Sequence, residues 1–96
     1  MIKIDLTNKL ALVTGAAGGL GRQICIDLAE CGADVILAVN NSITEAEKIA
    51  ENINKMGRKA MVIRGNISCS KAVKKMVKEA LDYFNRPVDI LVNNAG

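Results

Sequence analysis

Four short apolar runs, each separated from the next by a longer stretch of helical periodicity, constrain the fold of this chain more than any other feature. The runs are Leu10 to Thr14, Asp34 to Val39, Ala60 to Ile63 and Val88 to Val92. Each is apolar at successive positions rather than alternate ones, the pattern of a strand covered on both faces. The first gap places Leu20, Ile24 and Leu28 at helical spacing from Leu20 to about Cys31, and Gly32 stops it. The second follows the turn Asn40-Asn41-Ser42. Its stripe is Ala46, Ile49, Ala50 and Ile53, it stops near Gly57, and Ser42 with Glu45 forms a capping box. The third carries Val73, Met76, Val77, Ala80, Leu81 and Phe84 on one stripe, with Ser68 or Ser70 as cap and Asn85 and Pro87 as terminators.

The order β-α-β-α-β-α-β with short connections predicts an α/β fold. Buried parallel strands need helices on both faces, which gives three layers, α/β/α. Right-handed crossovers leave a doubly wound sheet of parallel strand order 3-2-1-4, with its switch point between strands 1 and 4. The first two helices fall on one face and the third on the other. One helix is expected to leave residues of Leu10 to Val13 and Val35 to Val39 open to water. The bare edge of strand 4 is a template for pairing with another chain, so a marginally stable or self-associating protein, a homo-oligomer, is expected.

With 96 residues, half of them apolar, the chain suits one small domain with a real core. The net charge of +3 is modest, and the densest basic group, Lys71, Lys74, Lys75 and Lys78, has the spacing of the wet face of a helix. Contact of that face with anions or nucleic acid is the competing reading. Tyr83 and Phe84 are the sole aromatic residues, too few for a base-stacking platform, so no nucleic-acid partner is expected. Cys25, Cys31 and Cys69 are odd in number and lack a paired spacing, which points to reduced thiols inside a cell. The chain has no histidine, which removes a His general base and any His-based metal site. The start, Met1-Ile2-Lys3-Ile4-Asp5, is not a signal peptide. No run approaches the roughly 18 apolar residues of a membrane helix, so the expected location is cytoplasmic.

Thr14-Gly15-Ala16-Ala17-Gly18-Gly19-Leu20-Gly21 lies between a strand and a helix. Backbone N–H groups and the helix dipole can hold a pyrophosphate there. Gly15 allows a sharp turn, Gly19 removes a Cβ where phosphate must approach, and Gly21 lets the helix pack close against the strand. Ile24 occupies the place of the last glycine of a G-x-G-x-x-G pattern, and no Gly-Lys-Ser/Thr follows, so a Walker-type nucleotide site is disfavoured. A glycine-rich turn with no ligand is the bland alternative, which the strand–turn–helix context weighs against.

Thr14-Gly15-x-x-x-Gly19-x-Gly21 resembles the cofactor signature of the short-chain dehydrogenase/reductase family, and Asn93-Asn94-Ala95-Gly96 resembles its second signature. Both occur in order, separated by the family's number of elements. The resemblance covers nearly the whole chain, and Glu45 to Ser68 looks most like the 3-oxoacyl-carrier-protein reductases and related sugar or steroid dehydrogenases. It implies that residues 1–96 are the N-terminal dinucleotide-binding part of a Rossmann domain, without the catalytic half. Gly15, Gly19, Leu20 and Gly21 would then line the cofactor pyrophosphate, Gly18 would border the cofactor beside them, and Asn40 would stand at the adenosine ribose. Asn66 and Ile67 would border the adenine, and Asn93, Ala95 and Gly96 would lie against the adenosine side.

The chain departs from the family pattern at four positions. Val39 stands where NAD-binding members often carry Asp, Asn40 where NADP-binding members often carry Arg, and Gly18 where many of the latter carry another basic residue. The cofactor is therefore NAD or NADP, undecided. Asn66 replaces the usual Asp beside the adenine, where its amide oxygen can still accept from the adenine amino group; a turn residue is the lesser alternative. Asn93 and Asn94 are as readily a brace of the sheet as a contact. The family's Tyr-x-x-x-Lys pair is missing, since Pro87 follows Tyr83 four places on. No residue is named as catalytic and the chain alone is expected to be inactive. The resemblance implies a whole enzyme that moves hydride between a nicotinamide and a carbonyl or alcohol. A non-catalytic nucleotide-binding or assembly module on the same half-fold is the alternative.

Overall fold

The computed structural model describes residues 4–65 and 70–94. Its elements are β1 (Leu10–Thr14), α1 (Gly19–Glu30), β2 (Asp34–Val39), α2 (Ile43–Lys55), β3 (Ala60–Arg64), α3 (Ser70–Phe84) and β4 (Ile90–Asn93). The strands form one parallel sheet of order β3-β2-β1-β4, as the pattern predicts. In register, Leu12 stands opposite Ile36 on one side and Leu91 on the other. Among the described residues no helix is long and apolar enough to cross a membrane.

Two apolar layers hold the sheet between the helices. On one face Val13, Val35, Leu37 and Val39 pack with Cys25 and Ala29 of α1 and with Ala46, Ile49 and Ile53 of α2. On the other, Leu10, Ile36, Ala38 and Ile63 pack with Met76 and Ala80 of α3. The alternation along β2 follows from the period of two in a strand. Full burial of Ile36 and Leu37 on opposite faces explains why that run is apolar throughout.

Polar side chains fasten the N-terminal ends of the strands. Asp34 at the start of β2 accepts from the Lys59 amide at 2.8 Å and pairs with the Arg86 guanidinium. Arg86 also reaches the Asn8 carbonyl at 3.4 Å, which ties the α3–β4 connection across the sheet to the loop before β1. Asp89 accepts from the Leu10 amide at 2.9 Å, and its own amide donates back to the Leu10 carbonyl at 2.8 Å. The β1–β4 pairing is thus extended below β4. Regular strand begins at Ile90, two residues after the predicted start, and reaches Asn93.

Four expectations need correction. The stripe of α1 is rotated by one residue: Gly21, Cys25 and Ala29 are buried, Ile24 and Leu28 are half-buried, and Leu20 is 68% exposed. Small residues lie on this side because the helix starts almost against the turn that follows β1. Ser42 does cap α2 in position, but its side chain makes no capping bond. With ψ at 54° its backbone is not in the extended form that aims a hydroxyl at the first turn, and Glu45 instead faces Lys48 at 3.9 Å. In α3, Met76 and Ala80 are buried while Val77 and Leu81 are 39% and 41% exposed. Finally, Leu10 to Val13 and Val35 to Val39 are not left open. All are buried except Leu12, which is half-buried. α3 alone covers β1 to β3, and the uncovered apolar surface lies at β4, where Leu91 is 66% exposed.

Candidate functional site: the glycine turn and the ends of the strands

The C-terminal ends of β1, β2 and β4 meet around one turn. After Thr14 the chain enters a left-handed conformation at Gly15, with φ of 62°, which glycine adopts at no steric cost. The turn closes with the Gly18 amide donating to the Gly15 carbonyl at 3.3 Å, and α1 begins at the next residue. No side chain caps α1, and its first turn holds no acidic residue. The first amides of a helix have no acceptor within it, so this end presents donors and a partial positive charge.

The three glycines that follow have different surroundings. A Cβ on Gly18 would stand 3.6 Å from the Gly15 carbonyl oxygen, an ordinary contact. A Cβ on Gly19 would meet nothing within 4 Å, and the residue is exposed. A Cβ on Gly21 would lie 2.1 Å from the Gly15 carbonyl oxygen and 2.9 Å from the Asn94 side-chain nitrogen. Gly21 therefore permits close packing against the turn and the end of β4, rather than against the body of β1.

The second Asn-rich segment is bonded to this turn. The Thr14 hydroxyl is within hydrogen-bond distance of the Asn93 side-chain oxygen, at 3.2 Å, and of the Val92 carbonyl, at 3.4 Å. The Asn94 amide donates to the Thr14 hydroxyl oxygen at 3.0 Å, and its side-chain nitrogen donates to the Gly15 carbonyl at 3.1 Å. Of the two readings open for Asn93 and Asn94, the brace is the one these bonds express.

Three hollows adjoin the turn. One of about 210 Å³ is lined by Gly15, Ala17, Gly18, Val39, Asn40, Asn41 and Ser42. A larger one of about 310 Å³ lies on the flank between α1 and α2, lined by Ala17, Gly19, Arg22, Glu45, Lys48, Ile49 and Asn52. The third, about 270 Å³, opens on the α3 face of β1 and β4 and is lined by Leu12, Thr14, Val73, Met76, Val77, Leu91 and Asn93. Of these three, the one of about 210 Å³ carries the nucleotide argument, because it joins the glycine turn to the end of β2.

Among the residues singled out from sequence, Gly15, Gly18 and Asn40 come together at the first hollow, with Gly19 next to it. Leu20 projects outward from the same helix end. Gly21 is buried beneath the turn, and Asn93 lines the hollow on the opposite side of β1. Asn66, Ile67, Ala95 and Gly96 lie outside the described residues. Tyr83 is 59% exposed on α3, its ring edge-on to Phe84 at 4.9 Å, away from these hollows.

Sequence reasoning missed Arg64. Its Nε–H donates to the Asn40 carbonyl at 3.1 Å, so its guanidinium stands beside the β2–α2 turn. A signal was present: of the four residues that end the strands, Thr14, Val39, Arg64 and Asn93, only Arg64 is charged.

A family model described as short chain dehydrogenase matches residues 9–96. The chain is 44% identical over 89 residues to a 3-oxoacyl-acyl-carrier-protein reductase of Staphylococcus epidermidis, covering 93% of this chain and 36% of that protein. It is 40% identical over 92 residues to a short-chain dehydrogenase/reductase of Cladobotryum sp, covering 96% of this chain and 35% of that one. Among solved structures, a dehydrogenase/reductase from Sinorhizobium meliloti 1021 superposes with a TM-score of 0.91 at 34% identity, over 98% of this chain and 37% of that one. A short chain dehydrogenase from Burkholderia cenocepacia J2315 in complex with NADP superposes with a TM-score of 0.88 at 38% identity, over 95% of this chain and 37% of that one. The chain thus spans little more than a third of the length of these relatives. The family model covers nearly the whole chain, and the chain belongs to the short chain dehydrogenase family.

Proposed function

We propose that residues 1–96 are the N-terminal dinucleotide-binding part of a Rossmann domain in an NAD(P)-dependent oxidoreductase. The observation that carries this reading is the uncapped start of α1 at a glycine whose Cβ direction is empty. The open space at Gly19 leaves room for phosphate oxygens beside the first helical amides. The residues fit the group: Gly15, Gly18 and Asn40 surround a hollow between turn and strand end, where the adenosine ribose of the dinucleotide would sit. Gly15, Gly18, Gly19, Leu20 and Gly21 would form the pyrophosphate cradle, with Gly21 acting by letting the helix approach. Asn40 would face the ribose. Asn66, Ile67, Ala95 and Gly96 complete the adenosine side of the proposal, and Asn93 acts through its bond to Thr14.

When bound, the nicotinamide would accept or deliver hydride toward a carbonyl or alcohol substrate. This chain's residues hold and orient the adenosine diphosphate, and none of residues 1–96 is assigned the proton. A cytoplasmic homo-oligomer is part of the same reading, supported by the free thiols Cys25 and Cys31 and by the apolar surface at β4.

The test is calorimetric titration of the protein encoded by the complete reading frame with NAD and NADP, beside its Gly19→Val variant. The wild type should bind at least one dinucleotide, and the variant should keep its circular dichroism spectrum and lose binding. Equal binding by a folded Gly19→Val protein would overturn the site.

A further inference from the structure

We infer that Arg64 reads the 2′-position of the adenosine ribose and gives this protein a preference for NADP over NAD. The inference rests on the dinucleotide site proposed above and deepens it. The seven residues lining the hollow between the glycine turn and β2 carry no charge. Val39 cannot accept hydrogen bonds from a ribose diol, and Asn40, Asn41 and Ser42 offer dipoles only. Discrimination by charge must then come from outside the hollow's wall.

Arg64 is positioned to supply it. It stands in register with Val39 on the neighbouring strand. Val62, two residues earlier, packs on the layer beneath α1 and α2, so strand alternation turns Arg64 to that same face, where α2 begins. The side chain is exposed at the sheet's C-terminal rim and is held there by its Nε–H bond to the Asn40 carbonyl. That bond uses one of the five guanidinium donors and aligns the group with the residue that would face the ribose. Among the described residues Arg64 makes no ion pair. Glu45, the first acid of α2, lines the flanking hollow and faces Lys48 instead. A planar, always-charged group with free paired donors suits a phosphate monoester. It gains much less from the neutral hydroxyl that NAD has in its place, which can accept only an ordinary hydrogen bond.

The test compares the complete protein with Arg64→Gln and Arg64→Lys by calorimetry, using NADP and NAD as probes at two ionic strengths. The wild type should bind NADP about tenfold tighter than NAD, the scale of one charge-assisted contact. Arg64→Gln should erase that ratio by weakening NADP alone, and Arg64→Lys should restore part of it. Raising salt should weaken NADP binding more than NAD binding in the wild type. A wild type that binds NAD as tightly as NADP would overturn the inference, as would an unchanged ratio in Arg64→Gln. Equal loss of both cofactors in Arg64→Gln would also overturn it, by assigning Arg64 to bracing the Asn40 turn. Failure of the wild type to bind either dinucleotide would sink the site reading itself, a result separable from all of these.

Discussion

The side-chain amide of Asn94 donates to the carbonyl oxygen of Gly15 at 3.1 Å, which bonds the segment after β4 directly to the turn after β1. The two motifs are 79 residues apart in sequence, yet Gly21 lies where a Cβ would press on both partners at once. Turn, helix start and strand end are therefore bonded and packed against one another.

This arrangement ranks the glycines. Gly21→Ala must displace the Gly15 carbonyl, and we expect a loss of about 3 kcal/mol, the upper range for overpacking. Asn94→Ala should cost about 1–2 kcal/mol, since the Gly15 carbonyl loses that donor. Gly18→Ala should stay within about 0.5 kcal/mol, because its Cβ meets only an ordinary contact at 3.6 Å. Combining Gly21→Ala with Asn94→Ala should not rescue stability, because the 2.1 Å approach is to backbone. Urea midpoints of the four proteins check the order. A Gly21→Ala protein as stable as Gly18→Ala would refute it.

Cys25 provides a pH signature. Burial pushes its thiol up from 9.0 to about 12. The unfolded chain loses this proton near pH 9 while the folded chain keeps it to about pH 12. The folded state thus binds more protons in that window. Its contribution to stability is complete below pH 9 and is lost as pH rises toward 12, with a slope approaching about 1.4 kcal/mol per pH unit. Subtracting the urea stability of Cys25→Ala from that of wild type between pH 8 and 10.5 isolates this slope. Site-resolved mass spectrometry after brief thiol alkylation should find Cys31, which is half-buried, modified before Cys25. Equal rates at the two sites, or a flat difference curve, would contradict the assignment.

The parallel order and the place of the glycine turn are legible in the sequence because they depend on pattern alone. Fully apolar runs demand two covered faces, and short connections leave few topologies. What pattern misreads is contact. Periodicity favours Leu20 as a buried residue of α1, yet the tight turn sets Gly21 against the Gly15 carbonyl and Asn94 and leaves Leu20 exposed. Ser42 and Glu45 have the spacing of a capping box, but the backbone at Ser42 does not hold the required angle. Arg64 escapes notice because its significance lies in a bond to a residue 24 positions away, through a backbone carbonyl that no side-chain pattern records.

The uncovered apolar surface gives the last prediction. Both β3 and β4 are edges of the sheet, but they are not equally protected. α2 and α3 pack against β3 from opposite faces, and its last residue is charged. Among the described residues α3 packs more closely on β3 than on β4, and Leu91 of β4 is 66% exposed beside a hollow lined by Leu12, Val73 and Val77. An unpaired edge carrying exposed leucine is a template for another strand or for an apolar partner. If a few hundred Å² is uncovered there, its burial is worth several kcal/mol at roughly 25 cal/mol per Å². That is comparable to the whole stability of a small domain. A polypeptide of residues 1–96 alone should therefore associate as its concentration rises, measured by sedimentation velocity. Leu91→Lys should shift it toward monomer with little loss of stability, because the side chain it replaces is already largely in water. A Leu37→Lys control, buried in the opposite layer, should instead unfold it. A wild-type polypeptide that stays monomeric at all concentrations and melts cooperatively at high temperature would show that this surface needs no cover.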